Sequence, residues 1–141
     1  YVISHQQVSK GALSADLQNT PWQISPGWVL TREDASYAGV IPRNPFDPRN
    51  GKWGAFQIVG RYAELDIDNA AFPVFANPAT SASKAKGWSA GLNWYLNKNV
   101  RVNASYSRTT FEGGGGAGTT APTIVTRQPE ETFFARVQLA F

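Results

Sequence analysis

From residue 131 to the end of the chain, apolar and polar side chains alternate. Phe133, Ala135, Val137, Leu139 and Phe141 fall on one side; Thr132, Phe134, Arg136, Gln138 and Ala140 fall on the other. A strand turns successive side chains to opposite faces, so a period of two predicts a strand with one apolar and one mostly polar face. Residues 99–107 repeat the pattern, with Val100, Val102, Ala104 and Tyr106 opposite Arg101, Asn103, Ser105 and Ser107. Residues 88–96 set Trp88, Ala90, Leu92, Trp94 and Leu96 against Ser89, Gly91, Asn93 and Tyr95, and residues 55–63 set Phe56, Ile58, Gly60 and Tyr62 against Gln57, Val59 and Arg61. Residues 22–31 are less regular: Trp22, Ile24, Trp28 and Leu30 share a side, while Pro26 and Gly27 predict a bend or bulge. The end of a further strand is predicted at residues 1–8. No segment carries a sustained helical stripe at i, i+3, i+4 and i+7, so the chain reads as all-β over a single domain, residues 1–141.

The connections differ in length. Asn97-Lys98-Asn99 is a tight hairpin signal between two strong strands. Residues 32–52, 66–86 and 112–128 are long stretches rich in Gly, Pro, Ala, Ser, Thr or Asn, longer than compact soluble domains usually carry.

Two settings produce a half-apolar strand. In a soluble sandwich the apolar face points into a core; in a transmembrane antiparallel barrel it points to lipid and the polar face lines water. Three features favour the barrel. The strands reach the roughly 9–11 residues needed to cross a bilayer at a tilt. Aromatic residues sit near strand ends (Trp53, Trp88, Trp94, Tyr95, Tyr106, Phe133 and Phe141), as in interfacial girdles. Short and long connections occur together. The polar face, with Asn, Gln, Ser and Arg, also suits water better than a dry core.

Composition narrows the classes further. The 141 residues hold no Met and no Cys. The first absence leads us to expect a processed product or a piece of a longer protein; the second removes disulfides, thiolate catalysis and Cys-based zinc sites. A net charge of +3 with no Lys/Arg cluster gives no nucleic-acid footprint. No apolar stretch approaches the roughly 18 residues of a membrane helix, and no basic-then-apolar signal segment opens the sequence.

Motifs that resemble catalysis lack its context. Gly87–Gly91 matches G-x-S-x-G, but Ser89 falls inside an alternating strand rather than on a strand-to-helix elbow, and the single histidine, His5, precedes it. The Gly-rich run at 112–118 lacks the Lys-Ser/Thr ending of a phosphate-cradling loop. Asp66 with Asp68, and Glu130 with Glu131, read as solvated carboxylates at loop mouths. Asn103 begins a glycosylation sequon, but inside a membrane-spanning strand it has no meaning. No catalytic residue, metal ligand or cofactor is expected.

The segments "GWVLTRE" (27–33), "WGAFQIVGRYAELD" (53–66) and "GLNWYLNKNVRVNASY" (91–106), with a terminal "TFFARVQLAF" ending in Phe141, resemble the blocks of the phosphate-selective porin O and P family from about residue 22 onward. "GLNWYLNKNVR" is the most specific. Two positions depart: Arg32 stands where the family usually has Gly, and Gln57 where it often has Glu. The resemblance implies a sixteen-stranded homotrimeric barrel in the bacterial outer membrane, surrounded by lipid, of which this chain supplies the last six or so strands. Inorganic phosphate or related anions, polyphosphate among them, would be the solute.

In such barrels the last strand runs toward the periplasm. Residues 97–99 then form a periplasmic turn, and the 66–86 and 112–128 connections are outer loops. The long 32–52 connection falls on the side where short turns are the rule. We expect it either to fold into the lumen, as connections of this family do, bringing Arg43, Arg49 and Lys52 toward an anion, or to stand as a solvated turn. On the strands, Arg61, Arg101 and Arg136 lie on the polar face. Their guanidinium forks suit phosphate oxygens, and rings of Arg or Lys are a known device of anion pores. The bland alternative pairs each with a carboxylate. As a whole, the sequence predicts an anion channel, with two rivals: a general-diffusion or otherwise specific barrel, and a soluble β-rich carbohydrate-binding module using Trp22, Trp28, Trp53 and Trp88 as sugar platforms.

Overall fold

The computed structural model of the chain describes residues 4–36, 39–116 and 125–140. Expectations for Tyr1, Phe141 and the middle of the 112–128 connection lie outside the described residues. Among the described residues seven strands form: β1 (Ser4–Lys10), β2 (Leu13–Ile24), β3 (Gly27–Val29), β4 (Ala55–Asp66), β5 (Ala82–Tyr95), β6 (Val100–Gly113) and β7 (Glu130–Leu139), with 3₁₀ turns at Pro48–Asn50 and Asn69–Ala71. They make one sheet in the order β1-β2-β4-β5-β6-β7, with β3 also pairing β4. The β1–β2, β2–β4 and β3–β4 pairs are antiparallel. Among the described residues no helix is long and apolar enough to cross a membrane.

The alternating segments all become strands, and the departures have local causes. β1 and β2 form a hairpin that runs past residue 8, where the sequence reading stopped. Gly11, at φ +64°, opens its two-residue connection, the place where a II′ turn requires glycine. Of the bend or bulge expected at Pro26–Gly27, the bulge is absent: Ile24 faces Tyr62 and Gly27 faces Val59, so the two residues between these pairs on one strand answer two on the other. Proline interrupts the strand only because it has no N–H; its carbonyl still accepts from Gly60 N at 2.9 Å. β5 and β6 each run 14 residues, longer than predicted, because they continue through Lys84, Lys86, Arg108 and Glu112, where apolar alternation ends but backbone pairing does not.

The chain divides into two compact units. The first comprises Tyr1–Ile24, Tyr62–Trp88 and Arg108–Glu131. In it the 67–81 connection is clasped onto the β1–β2 hairpin. The Asp68 carboxylate accepts from Ala70 N (2.9 Å) and Gln18 N (2.8 Å), Asp68 N donates to Asn19 Oδ1 (3.2 Å), and Lys10 Nζ donates to Val74 O (2.8 Å). These bonds to the charged form, Ala70's and then Gln18's, hold the Asp68 carboxyl below its ordinary range. Leu17 and Ala71 are buried in this unit.

The second unit comprises Ser25–Arg61, Ser89–Ser107 and Thr132–Phe141. Its buried cluster is Val29, Val40, Ala55 and Tyr95. Three of these come from strands or strand ends and one, Val40, from the 30–54 connection. Gly54 lets that connection approach β5: at φ +76°, an added Cβ would stand 2.2 Å from the Tyr95 carbonyl oxygen. Farther along, Phe46 meets Trp94 edge to face at 5.2 Å, Trp94 stacks on Phe56 at 5.7 Å, and Trp94 Nε1 donates to Trp53 O at 2.6 Å. The predicted 97–99 hairpin forms, with the Asn97 carboxamide oxygen accepting from Asn99 N (2.8 Å) and Val100 N (2.9 Å).

The apolar strand faces do not form a core. Trp28 is 73% exposed, Phe133 72% and Leu139 58%. That arrangement is unstable in water and natural against hydrocarbon.

Candidate anion path

The site is built in the second unit, on the strand face opposite the exposed apolar one. Period-two alternation puts Gln57 and Arg61 of β4, Asn93 and Tyr95 of β5, Arg101 and Asn103 of β6, and Arg136 and Gln138 of β7 on their strands' polar positions. Backbone pairing then brings these positions into contact. Gln57 Oε1 accepts from Asn93 Nδ2 and from the Tyr95 hydroxyl, both at 2.9 Å. Asn103 Nδ2 donates to Asn93 Oδ1, extending the chain of amides to β6. The Arg101 guanidinium donates to the Tyr95 hydroxyl at 3.5 Å and to Gln138 Oε1, and its central carbon lies 5.5 Å from the Tyr95 ring centre. Arg136 donates to the same Gln138 oxygen at 3.2 Å.

Two cations thus share one neutral acceptor, and neither meets a carboxylate. All ion pairs among the described residues use other cations: Lys84, Lys86, Arg108 and Arg127. Arg61 is exposed and makes no ion pair or hydrogen bond with the described residues. Guanidinium groups leaning on amide and phenol oxygens keep their full charge available to a mobile anion, because a neutral partner orients them without neutralising them.

The 30–54 connection divides between two settings. Ser36, Gly39, Val40 and Ile41 border a depression of about 200 Å³ together with Tyr95, Arg101 and Gln138, so this half lies against the polar face. In the half from Phe46 to Gly54, the Phe46 ring packs on Trp53 and on Trp94, which belongs to the apolar positions. Arg49 and Lys52 are exposed in this second half, where Asp47 and Lys52 exchange backbone hydrogen bonds of 2.8 and 2.9 Å. Arg43 is exposed between the halves. The structure therefore brings Arg101 and Arg136 together and leaves Arg61, Arg43, Arg49 and Lys52 outside their cluster.

Several sequence expectations need correction. Tyr95 is not a girdle ring; it is buried and hydrogen-bonded within the polar cluster. Asp66 is not simply solvated but lies 3.0 Å from Lys84 Nζ. Asp68 caps a turn, Glu130 pairs with Arg127, and Glu131 pairs with Arg108 at 3.6 Å. The sequence reading also missed the amides Gln57, Asn93 and Gln138 as a connected group. Their signal was present, since each sits on the same alternating face as an arginine or its neighbour, but it becomes visible only when the polar faces of adjacent strands are aligned.

Comparison with known proteins accounts for this combination of long antiparallel strands, bare apolar faces and an uncharged amide network that holds arginines away from carboxylates. Residues 7–119 match the model of the family described as phosphate-selective porin O and P. A curated relative, Porin O of Pseudomonas aeruginosa, is 29% identical over 97 residues, covering 64% of this chain and 21% of the relative. The chain thus spans about one fifth of that relative's length. The family match runs through β1 to β6 and the polar positions of β4 to β6, and with an all-β antiparallel sheet it places this protein in the phosphate-selective porin O and P family.

Proposed function

We propose that the chain forms part of the wall of an outer-membrane channel that passes anions, phosphate or polyphosphate among them, by passive diffusion. The observation that carries this reading is the pair Arg101 and Arg136, joined at Gln138 with no carboxylate beside them. In a water-filled lumen such groups attract an anion without trapping it. Conduction needs binding strong enough to recruit the ion and weak enough to release it, so moderate sites in file serve better than one deep site. Arg61, on the polar face of β4, supplies a further charge. No covalent step and no cofactor enter this function. The name of the P. aeruginosa relative and the family description support the channel class, and on the same analogy the whole protein is a homotrimer of sixteen-stranded barrels.

Ser36 and residues 39–41 narrow the lumen in this reading. Its support is the burial of Val40 against Val29, Ala55 and Tyr95, on the side of the sheet that carries Arg101. Arg43, Arg49 and Lys52 are then a basic approach to the constriction rather than its lining.

Reversal potentials of the full-length channel test the assignment. Arg61→Gln with Arg136→Gln is expected to lower anion over cation preference; an unchanged reversal potential rejects these residues as pore groups. Deleting residues 34–51 is expected to raise conductance or loosen selectivity, and unchanged currents reject the constriction. Single-channel block by phosphate but not by chloride separates a phosphate-class channel from a general one.

A further inference from the structure

On the apolar face, strands β4 to β7 all change character at one step. Tyr62 is followed two residues on by Glu64, Tyr106 by Arg108; Trp88 is preceded by Lys86, and Phe133 by Glu131. Residues two apart share a face. The apolar stripe of each strand therefore ends in an aromatic ring, and the next position on the same face is ionic. Hydrocarbon does not tolerate such charges, whereas the headgroup layer does, and aromatic rings mark the boundary between the two.

Within the first unit these ionic positions are unequal. Lys84 Nζ sits 2.9 Å from Glu64 and 3.0 Å from Asp66, with its side chain 24% exposed. It is committed to joining β5 to β4. Lys86 stands 3.5 Å from Glu112 and Arg108 stands 3.6 Å from Glu131, with side chains 42% and 44% exposed. Ion pairs this long and this exposed are weak and readily exchanged. A phosphate group offers several acceptor oxygens, which suits the ammonium of Lys86 and the fork of Arg108 better than one distant carboxylate oxygen.

We propose that Lys86 and Arg108 form an outward-facing site for the phosphate headgroup of an anionic lipid, with Glu112 and Glu131 as the partners they release when the lipid docks. The occupant is a lipid because the cations lie one step beyond the aromatic ends of a face that meets hydrocarbon. The site rests on that outward orientation of the apolar face and not on the anion path, which uses the opposite face.

The test uses the full-length channel, reconstituted into phosphatidylcholine vesicles containing a minor fraction of phosphatidylglycerol, extracted, and analysed by native mass spectrometry for retained lipid. Wild type is expected to retain phosphatidylglycerol preferentially. Lys86→Gln with Arg108→Gln should lower that retention about 25-fold, since each surface cation contributes about a fivefold preference for anionic lipid. Glu112→Gln with Glu131→Gln should raise it by freeing both cations, which keeps the proposal testable if the first variant folds poorly. Lys84→Gln should leave retention unchanged. Anion selectivity should be unaltered in every variant that assembles, so failure here is separable from failure of the channel reading. Equal retention in wild type and both double variants overturns the site; so does loss of subunit association with lipid retention intact, which would assign the face to a second copy of the chain.

Discussion

In the unit containing Tyr62–Trp88, the strand cations Lys84, Lys86 and Arg108 each stand within 3.6 Å of a carboxylate. In the unit containing Ser89–Ser107, Arg101 leans on a tyrosine hydroxyl and a glutamine oxygen, and Arg136 on the same glutamine. The residue types are alike and the strands are the same; the faces differ. On the apolar face, opposite charges meet at the strand positions beyond the aromatic rings, closely at Lys84 and loosely at Lys86 and Arg108. On the polar face, neutral amides occupy the positions where carboxylates would have cancelled the arginines. The lesson is that charge count says little about a strand face: a cation held by a neutral acceptor keeps its field for a mobile ion, and one held close by a carboxylate does not.

The sharpest way to break the comparison is to remove the scaffold of the second unit. Gly54→Ala forces a Cβ to 2.2 Å from the Tyr95 carbonyl oxygen at a positive φ. The connection must lift from β5 and the Val40 contact is lost, for a destabilisation of at least about 2 kcal/mol, in the range of overpacking and backbone-strain substitutions. A thermal melt of the full-length protein, with current recordings on whatever assembles, checks it.

A second change targets the neutrality itself. Gln57→Glu puts a carboxylate at the oxygen that accepts from Asn93 and Tyr95. It places a carboxylate one hydrogen bond from the Tyr95 hydroxyl on which Arg101 leans, and the anion-to-cation permeability ratio of the proposed channel is expected to fall several-fold. A ratio equal to wild type would mean that network charge does not reach the permeating ion.

Smaller effects come from the first unit. Exchanging Lys86 and Glu112 singly and together, in a double-mutant cycle read by thermal stability, should give a coupling of about 0.5 kcal/mol or less, as for exposed pairs generally. A larger value would mean that this pair is better shielded from solvent than its geometry indicates.

The smallest effect is the pH response of the 67–81 clasp. The Asp68 carboxyl is held below its ordinary range by Ala70 N and Gln18 N. Its folded value is depressed, so its contribution is fully present above the unfolded value and is lost as pH falls through the lowered folded value. Amide exchange at Gln18 should stay slow at neutral and mildly acidic pH and accelerate only below the usual carboxylate range. Asp68→Asn should remove that pH dependence.

Part of this was legible from residue order. The period-two alternation at 55–63, 88–96, 99–107 and 131–141 depends only on the pleat of each strand, a covalent and local property. The short turn at Asn97 was equally local, since its carboxamide closes onto N–H groups two and three residues away. β1 was expected only as far as residue 8, and the first half of β2 not at all, because residues 4–10 hold a single apolar side chain, Val8, and carry no period. The strand ends of β5 and β6 were misplaced because charges replaced apolar residues while pairing continued.

What the order of residues determined, then, was which side chains share a face and hence that Arg61, Arg101 and Arg136 oppose the apolar stripe. Only the tertiary structure decided what each of them touches. Gln57 reaches Asn93 and Tyr95 across 36 and 38 residues, and Arg101 reaches Gln138 across 37. It also decided that the half of the 30–54 connection lying against the polar face is the half without Arg49 and Lys52. Face is set by the strand alone, but partners are set by the register between strands, which the alternation of a single strand cannot encode.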